Sequence, residues 1–360
     1  MIRESPLKTG MDGQWSAMDH HGVPGSLLAD LRVMAATGKL RGLRSVRYDL
    51  VTDWSESGLT EEEACRKLSV FNRAVILAVL DAHVEVYPWL SGCTFLEFGS
   101  GGRGEQVLGS DQDNGLLLHD DIDEDELEDA ANDIVISLDG AGIPLCAGGV
   151  MISNREWRGR FDAWLKRMIG WLSNPHEKGS WQSGLILDFE PVYGPEEEAY
   201  RLRGRLWEYV RSKPVAVKML VDELTDYRMP LSLFGSFITE KKGAWAGHLN
   251  IKNSVLAHLT NAARILALKY GLPFTHTCDR VRGLAEAGHF SGSHGEELLR
   301  AWEWLQGRRQ AIGIACFEQG IAPHNYIDPA ELSAAERGEL KQSIQAVEKF
   351  VRLVQAGAGL

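Results

Sequence analysis

The chain has no Cys-x-x-Cys pair: its five cysteines, Cys65, Cys93, Cys146, Cys278 and Cys316, stand singly. That spacing argues against a disulfide framework and a structural zinc ribbon, and reads as reduced thiols, most of them core or incidental. Long apolar runs are missing too. The longest, AVILAVL at 74–80, covers about two helical turns, far short of a bilayer crossing. Basic charge is in deficit, 38 Lys and Arg against 50 Asp and Glu for a net of −12, which disfavours a general nucleic-acid binder because neutralising phosphates needs a basic surface. The stretch MIRESPLKTGMDGQW lacks an apolar core followed by a small-residue cleavage site, so no secretory signal is expected and the cytoplasm is the expected compartment. No repeat or low-complexity block is evident. With 44% hydrophobic residues over 360 positions, the chain can bury two or three cores.

Residues 1–24 are rich in Gly, Ser and His without periodicity and read as a poorly ordered arm. A helical region follows over 25–90. In it, TEEE at 60–63 is a capping box with Thr60 as N-cap and Glu63 three places on, opening a helix that runs through VFNRAVILAVLDA. Over 91–212 the pattern becomes mixed: CTFLEF (93–98), NGLLLHD (114–120) and GLILDFEPV (184–192) read as strands with helical patterns between the second and third. The acidic run HDDIDEDELEDA (119–130) reads as a solvated loop and the start of a helix. From 213 to 360 helical signals dominate. In NSVLAHLTNAARILALKYGLP, Leu256, Leu259, Ala263 and Leu266 share a face, Gly271 fits the C′ position and Pro273 enforces the stop. The fold class is α+β, with a mixed sheet flanked by N-terminal helices and a C-terminal helical bundle.

The stretch FLEFGSGGRGEQ (95–106) runs from a strand into a glycine-rich turn, and fits several nucleotide-binding folds. Gly99, Gly101 and Gly104 satisfy G-x-G-x-x-G, the dinucleotide signature, and LEFGSG looks like the first motif of a doubly wound S-adenosylmethionine-dependent methyltransferase. Both folds need a crossover helix of roughly ten or more residues to reach the next parallel strand. Only EQVLGS separates Gly104 from Asp111, and Gly109 interrupts it. A third arrangement needs no crossover: Gly99-Ser100, then Asp111-Gln112-Asp113, as in nucleotidyltransferases of the polymerase-β-like superfamily. Free N–H groups at the turn, with the Ser100 hydroxyl, suit the β and γ phosphates of a nucleoside triphosphate. Extended backbone puts Asp111 and Asp113 on one face, towards a common metal cluster, with Gln112 opposite. Magnesium, with manganese as the substitute, prefers such oxygen donors, and a two-metal site is the expected form. Asp188, an acid among Leu, Ile and Phe, is the candidate third metal ligand; its alternative is a buried salt bridge.

These residues carry a resemblance. GSGGRGEQVLGSDQDNGLLL (99–118), followed in order by GGVMISNREW (148–157) and LDFEPVYG (187–194), resembles the bacterial nucleotidyltransferases related to the catalytic domain of protein-PII uridylyltransferase. NIKNSVLAHLTNAARILALKYG, THTCDR and IAPHNYIDPAELSAAERGELK are similar to the group's C-terminal substrate-binding helical domain. The resemblance implies phosphate contacts at Gly99 and Ser100, metal binding and catalysis at Asp111, Asp113 and Asp188, and nucleotide contacts from Arg103, Lys252 and Arg264. Arg103 has as its alternative an ion pair with an acid, and Lys252 and Arg264 have a solvated helix surface. Glu105 and Gln106 are read as bracing the turn. Glu190 stands where the group has a basic residue. The implied function is transfer of a nucleoside monophosphate from UTP or ATP to an acceptor hydroxyl, with a PII-like regulatory protein as the acceptor by kinship. A catalytically silent nucleotide sensor of the same fold is the alternative, and the methyltransferase ranks below both.

Overall fold

A computed structural model describes residues 23–173, 184–225, 229–232 and 234–357. The arm expected over 1–24 lies, up to residue 22, outside the described residues. The contacts divide the chain into two compact units, one running up to Arg167 and resuming over Asp188–Arg205, the other made of Met168–Leu187 and Leu206 onward.

The first unit opens with α1 (Gly25–Ala36), α2 (Leu43–Glu56) and α3 (Glu61–Val84). The capping box at the start of α3 forms as expected: Glu63 N–H donates to Thr60 Oγ1 at 3.3 Å and Thr60 N–H to Glu63 Oε2 at 3.0 Å. AVILAVL is buried on every side of the helix, because α3 is enclosed by α1, by the helix α5 (Glu124–Gly140) and by the last strand of the sheet. Asp123 caps α5 by accepting from the N–H groups of Asp125 and Glu126, so the acidic run is a loop and a helix start.

The sheet holds β1 (Thr94–Glu97), β2 (Asn114–Leu118), β3 (Arg158–Arg160) and β4 (Glu190–Tyr193) in the order β3-β2-β1-β4. β1 pairs antiparallel with both β2 and β4, while β2 and β3 are parallel and joined through α5. The antiparallel β1–β2 pair removes the dinucleotide and methyltransferase topologies, in which the strand after a glycine turn returns parallel. The strands are shorter than their sequence patterns. Asp111–Asp113 is an extended segment ahead of β2, and Asp188 precedes β4 rather than lying within it. Phe98, Trp157, Phe189 and Trp164, the last carried by α6 (Phe161–Ser173), form an aromatic core against the sheet. Trp164 donates to the Leu116 carbonyl at 3.0 Å, and a Cβ on Gly115 would meet the Phe98 and Trp164 rings.

The second unit is helical, with α8 (Pro214–Thr225), α9 (Ala257–Tyr270), α10 (Thr277–Glu286), α11 (Gly292–Gln319) and α12 (Ala334–Gly357). Leu256, Leu259, Ala263 and Leu266 are buried, but so are Leu268, Ile265 and Arg264 on the other faces, since α9 packs against α8, α10 and α12. Gly271 ends it in the left-handed conformation, φ 74°. One feature absent from the expected bundle is a two-stranded ladder, β5 (Leu249–Asn250) against β6 (Tyr326–Ile327).

Candidate functional site

β1 ends at Glu97, and Phe98 leads into α4 (Gly99–Arg103), a five-residue helix closed by Gly104 at φ 68°. α4 sits hard against the strand ends. A Cβ on Gly102 would collide with the carbonyl oxygens of Asp188 and Glu97, and one on Gly101 with the Glu97 side chain. These two glycines therefore serve helix-to-sheet packing, a role beyond the backbone approach to a ligand that the motif alone suggests. Gly99 is buried and Ser100 half-buried at the first turn, where N–H groups have no intrahelical acceptor.

Phe98 N–H donates to the Asp113 carbonyl at 2.8 Å, carrying the β1–β2 pairing one step past the ladder. The alternation inferred for SDQDN is present. Gln112 and Asn114 are buried: Gln112 donates to the carbonyls of Val135 and Ile143, Asn114 donates to Gln112 Oε1 at 3.0 Å, and Asn114 Oδ1 accepts from Ile152 N–H at 2.8 Å. Asp111 and Asp113 are half-buried, and their carboxylate oxygens come within 4.8 Å of each other and of Cys146 Sγ. Two carboxylates converging from an extended segment form a donor set that fits a divalent cation. Cys146 joins them from the turn that leads into GGVMISNREW, and burial first, then the charge of Asp113, pushes its thiol up to about 12.

Asp188 lies beside β4, on the other side of β1 from Asp113. It is fully buried, and Arg103 Nη1 reaches its Oδ2 at 3.4 Å while Arg103 Nε donates to Glu105 Oε2 at 2.7 Å. Burial works against the Arg103 charge, and Glu105 and Asp188 outweigh it, so its pKa is raised. Asp188 thus has the buried salt bridge of the alternative reading, and among the described residues it is not part of the Asp111–Asp113–Cys146 cluster. Glu105 braces the turn through Arg103. Gln106 braces it through a buried chain, accepting from Asn72 at 3.1 Å, with Asn72 in turn accepting from Arg47 at 2.6 Å. Glu190 pairs with Arg203, which also donates to the Phe189 carbonyl at 3.0 Å, so a cation does stand next to the third acid, supplied from α7 (Glu197–Ser212).

Glu97 is a carboxylate that motif reasoning left out of the site. It is 4% exposed, its Oε2 has no hydrogen-bond partner among the described residues, and burial lifts it to about 7, with Arg73 opposing and Asp113 adding to the rise.

Two family models match this chain. Residues 47–178 match the one described as "Putative nucleotidyltransferase DUF294", and residues 214–357 the one described as "Putative nucleotidyltransferase substrate binding domain". The chain belongs to this nucleotidyltransferase family. No match to a curated protein was found. The nucleotidyltransferase match spans Gly99, Ser100, Arg103, Asp111, Asp113 and Cys146, and stops before Asp188. Lys252 and Arg264 fall in the substrate-binding match and in the second unit. Lys252 is half-buried at the start of a π-helical turn (Lys252–Leu256), a local widening that often marks functional sites. Arg264 is buried rather than solvated, donating to the Asn261 side chain and filling the space above Gly184. Among the described residues no helix is long and apolar enough to cross a membrane.

Proposed function

We propose that this protein transfers a nucleoside monophosphate from UTP or ATP to an acceptor hydroxyl, releasing pyrophosphate, as a cytosolic enzyme of the uridylyltransferase type. The observation that carries this reading is the convergence of Asp111 and Asp113, ligand atoms within 4.8 Å, next to the Gly99-Ser100 turn across an antiparallel strand pair. Asp111 and Asp113 would hold magnesium, or manganese in its place, which supplies charge neutralisation for the attacking and departing oxygens of an in-line displacement. Gly99 and Ser100 bind the triphosphate tail through N–H groups and a hydroxyl. Arg103, paired with Glu105 and Asp188, would meet that tail by exchanging Asp188 for phosphate, and Asp188 would then be available as third metal ligand and as the group that draws the proton from the acceptor. For Lys252 and Arg264, which belong to the second unit, a nucleotide contact rests on family kinship alone. A PII-like regulatory protein is the acceptor that family kinship favours.

The buried Arg103–Asp188 pair supports a second reading, a nucleotide-binding sensor that does not turn over, because it leaves two carboxylates rather than three for the metal. Incubating the protein with each α-phosphate-labelled NTP, magnesium and a cell extract distinguishes them. Label on a macromolecule with pyrophosphate release, lost in the Asp111→Asn, Asp113→Asn variant, is the expected result. Metal-dependent NTP binding with no label from any nucleotide favours the sensor, and absence of metal-dependent binding overturns both.

A further inference from the structure

The Asp111–Asp113 cluster includes an atom that magnesium chemistry does not require. Cys146 Sγ lies within 4.8 Å of carboxylate oxygens on both aspartates, in a side chain only 8% exposed. A cysteine acting as a small apolar filler is surrounded by hydrocarbon. This one faces two acids, its Sγ standing within 4.8 Å of a carboxylate oxygen of each. Its backbone is held as well: Gly149 N–H donates to the Cys146 carbonyl at 3.0 Å, and Cys146 N–H points at Met151 Sδ at 3.4 Å. Carboxylates suit magnesium and manganese, whereas a thiolate shifts a site towards zinc and other thiophilic ions.

We propose that Cys146 is a specificity-determining residue of the metal site, allowing Asp111 and Asp113 to bind a thiophilic divalent cation through two oxygens and one sulfur. This rests on the proposed reading of Asp111 and Asp113 as metal ligands. Binding replaces the S–H bond by a sulfur–metal bond and releases the proton to solvent. An ion held by these three donors would compete with magnesium for the same two aspartates. The metal content of the site then responds to the supply of thiophilic ions.

The test is a titration of the full chain with Cd2+, followed by thiolate-to-cadmium charge-transfer absorption, beside Mn2+ binding followed by electron paramagnetic resonance. The wild type is expected to show the band, and Cys146→Ser to lose it together with at least about tenfold of the Cd2+ affinity, while Mn2+ affinity stays unchanged. Cys146→Asp, with an all-oxygen donor set, is also expected to lose the band, while its third carboxylate keeps or raises Mn2+ affinity, and it covers the case in which serine impairs folding. A band that persists in both variants, or equal losses of Cd2+ and Mn2+ affinity in both, overturns the proposal. Mn2+ binding that survives Asp111→Asn with Asp113→Asn overturns instead the underlying assignment of the aspartates.

Discussion

Burial holds the Glu97 carboxyl protonated up to about pH 7, with Arg73 opposing, Asp113 reinforcing and Gln106 donating a hydrogen bond. In the unfolded chain it ionises near its ordinary 4.5. Between those values the unfolded state sheds a proton that the folded state keeps, so stability falls as pH rises through 4.5 to 7 and levels off above. Glu97→Gln removes that penalty and is expected to be more stable than wild type by up to about 3 kcal/mol at pH 8, with no gain at pH 4; urea denaturation at the two pH values checks it. Arg103→Met acts oppositely: it leaves Asp188 buried without its cation and is expected to cost about 3–5 kcal/mol, while the double change with Asp188→Leu recovers most of it. The convergence of Asp111 and Asp113 was legible in the sequence because a two-residue spacing on extended backbone has geometric meaning. Cys146 was not, since a single cysteine in a glycine-rich stretch has no spacing to read. Glu97 was hidden by its strand, buried along its whole length, where alternation gives no face to a polar residue.

Helix starts were the most legible elements, because a cap is a local device written within four residues. TEEE opens α3, and SAAE at 333–336 obeys the same rule at α12: Ser333 N–H donates to Glu336 Oε2 at 2.8 Å and Glu336 N–H to Ser333 Oγ at 3.2 Å. Thr60→Ala is expected to cost about 1 kcal/mol in chemical denaturation. The Ser333 hydroxyl and N–H, with Arg308 assisting, hold Glu336 down at about 2. The group's folded pKa is depressed, so its contribution is present above 4.5 and is lost as pH falls from there towards 2. Melts of Glu336→Gln and wild type are expected to converge across that acid window, and a constant gap throughout it counts against the cap. Strand ends were less legible. The extended backbone of Asp111–Asp113 matches a strand in composition, yet Gln112 N–H goes to the Pro144 carbonyl and Asn114 N–H to that of Val150, a loop rather than a ladder partner. The β5–β6 pair is two residues long on each side, too short for any period to register.

At the scale of the whole molecule the acid surplus reappears where it bears on the site. Asp111, Asp113, Asp188, Glu97, Glu105 and Glu190 stand in the candidate region of the first unit, against Arg73, Arg103 and Arg203, and two of those cations are engaged with Glu105, Asp188 and Glu190. A nucleoside triphosphate brought to that region alone adds negative charge to negative charge. A divalent cation held between Asp111 and Asp113 would cancel their two charges, and on the proposed reading metal and nucleotide binding then depend on each other. The thermal consequence follows by linkage: a ligand that binds only the folded state at about 100 times its Kd stabilises by about 2.7 kcal/mol, several degrees for a unit of this size. UTP or ATP without metal is therefore expected to leave the apparent Tm unmoved. Magnesium alone shifts it slightly, and the two together shift it by more than the sum of the separate effects. Asp111→Asn with Asp113→Asn abolishes that surplus without changing the Tm of the free protein by a comparable amount, because both side chains are half-exposed. Tryptophan fluorescence melts with each combination measure it, and a full shift with nucleotide in the presence of a chelator contradicts the dependence.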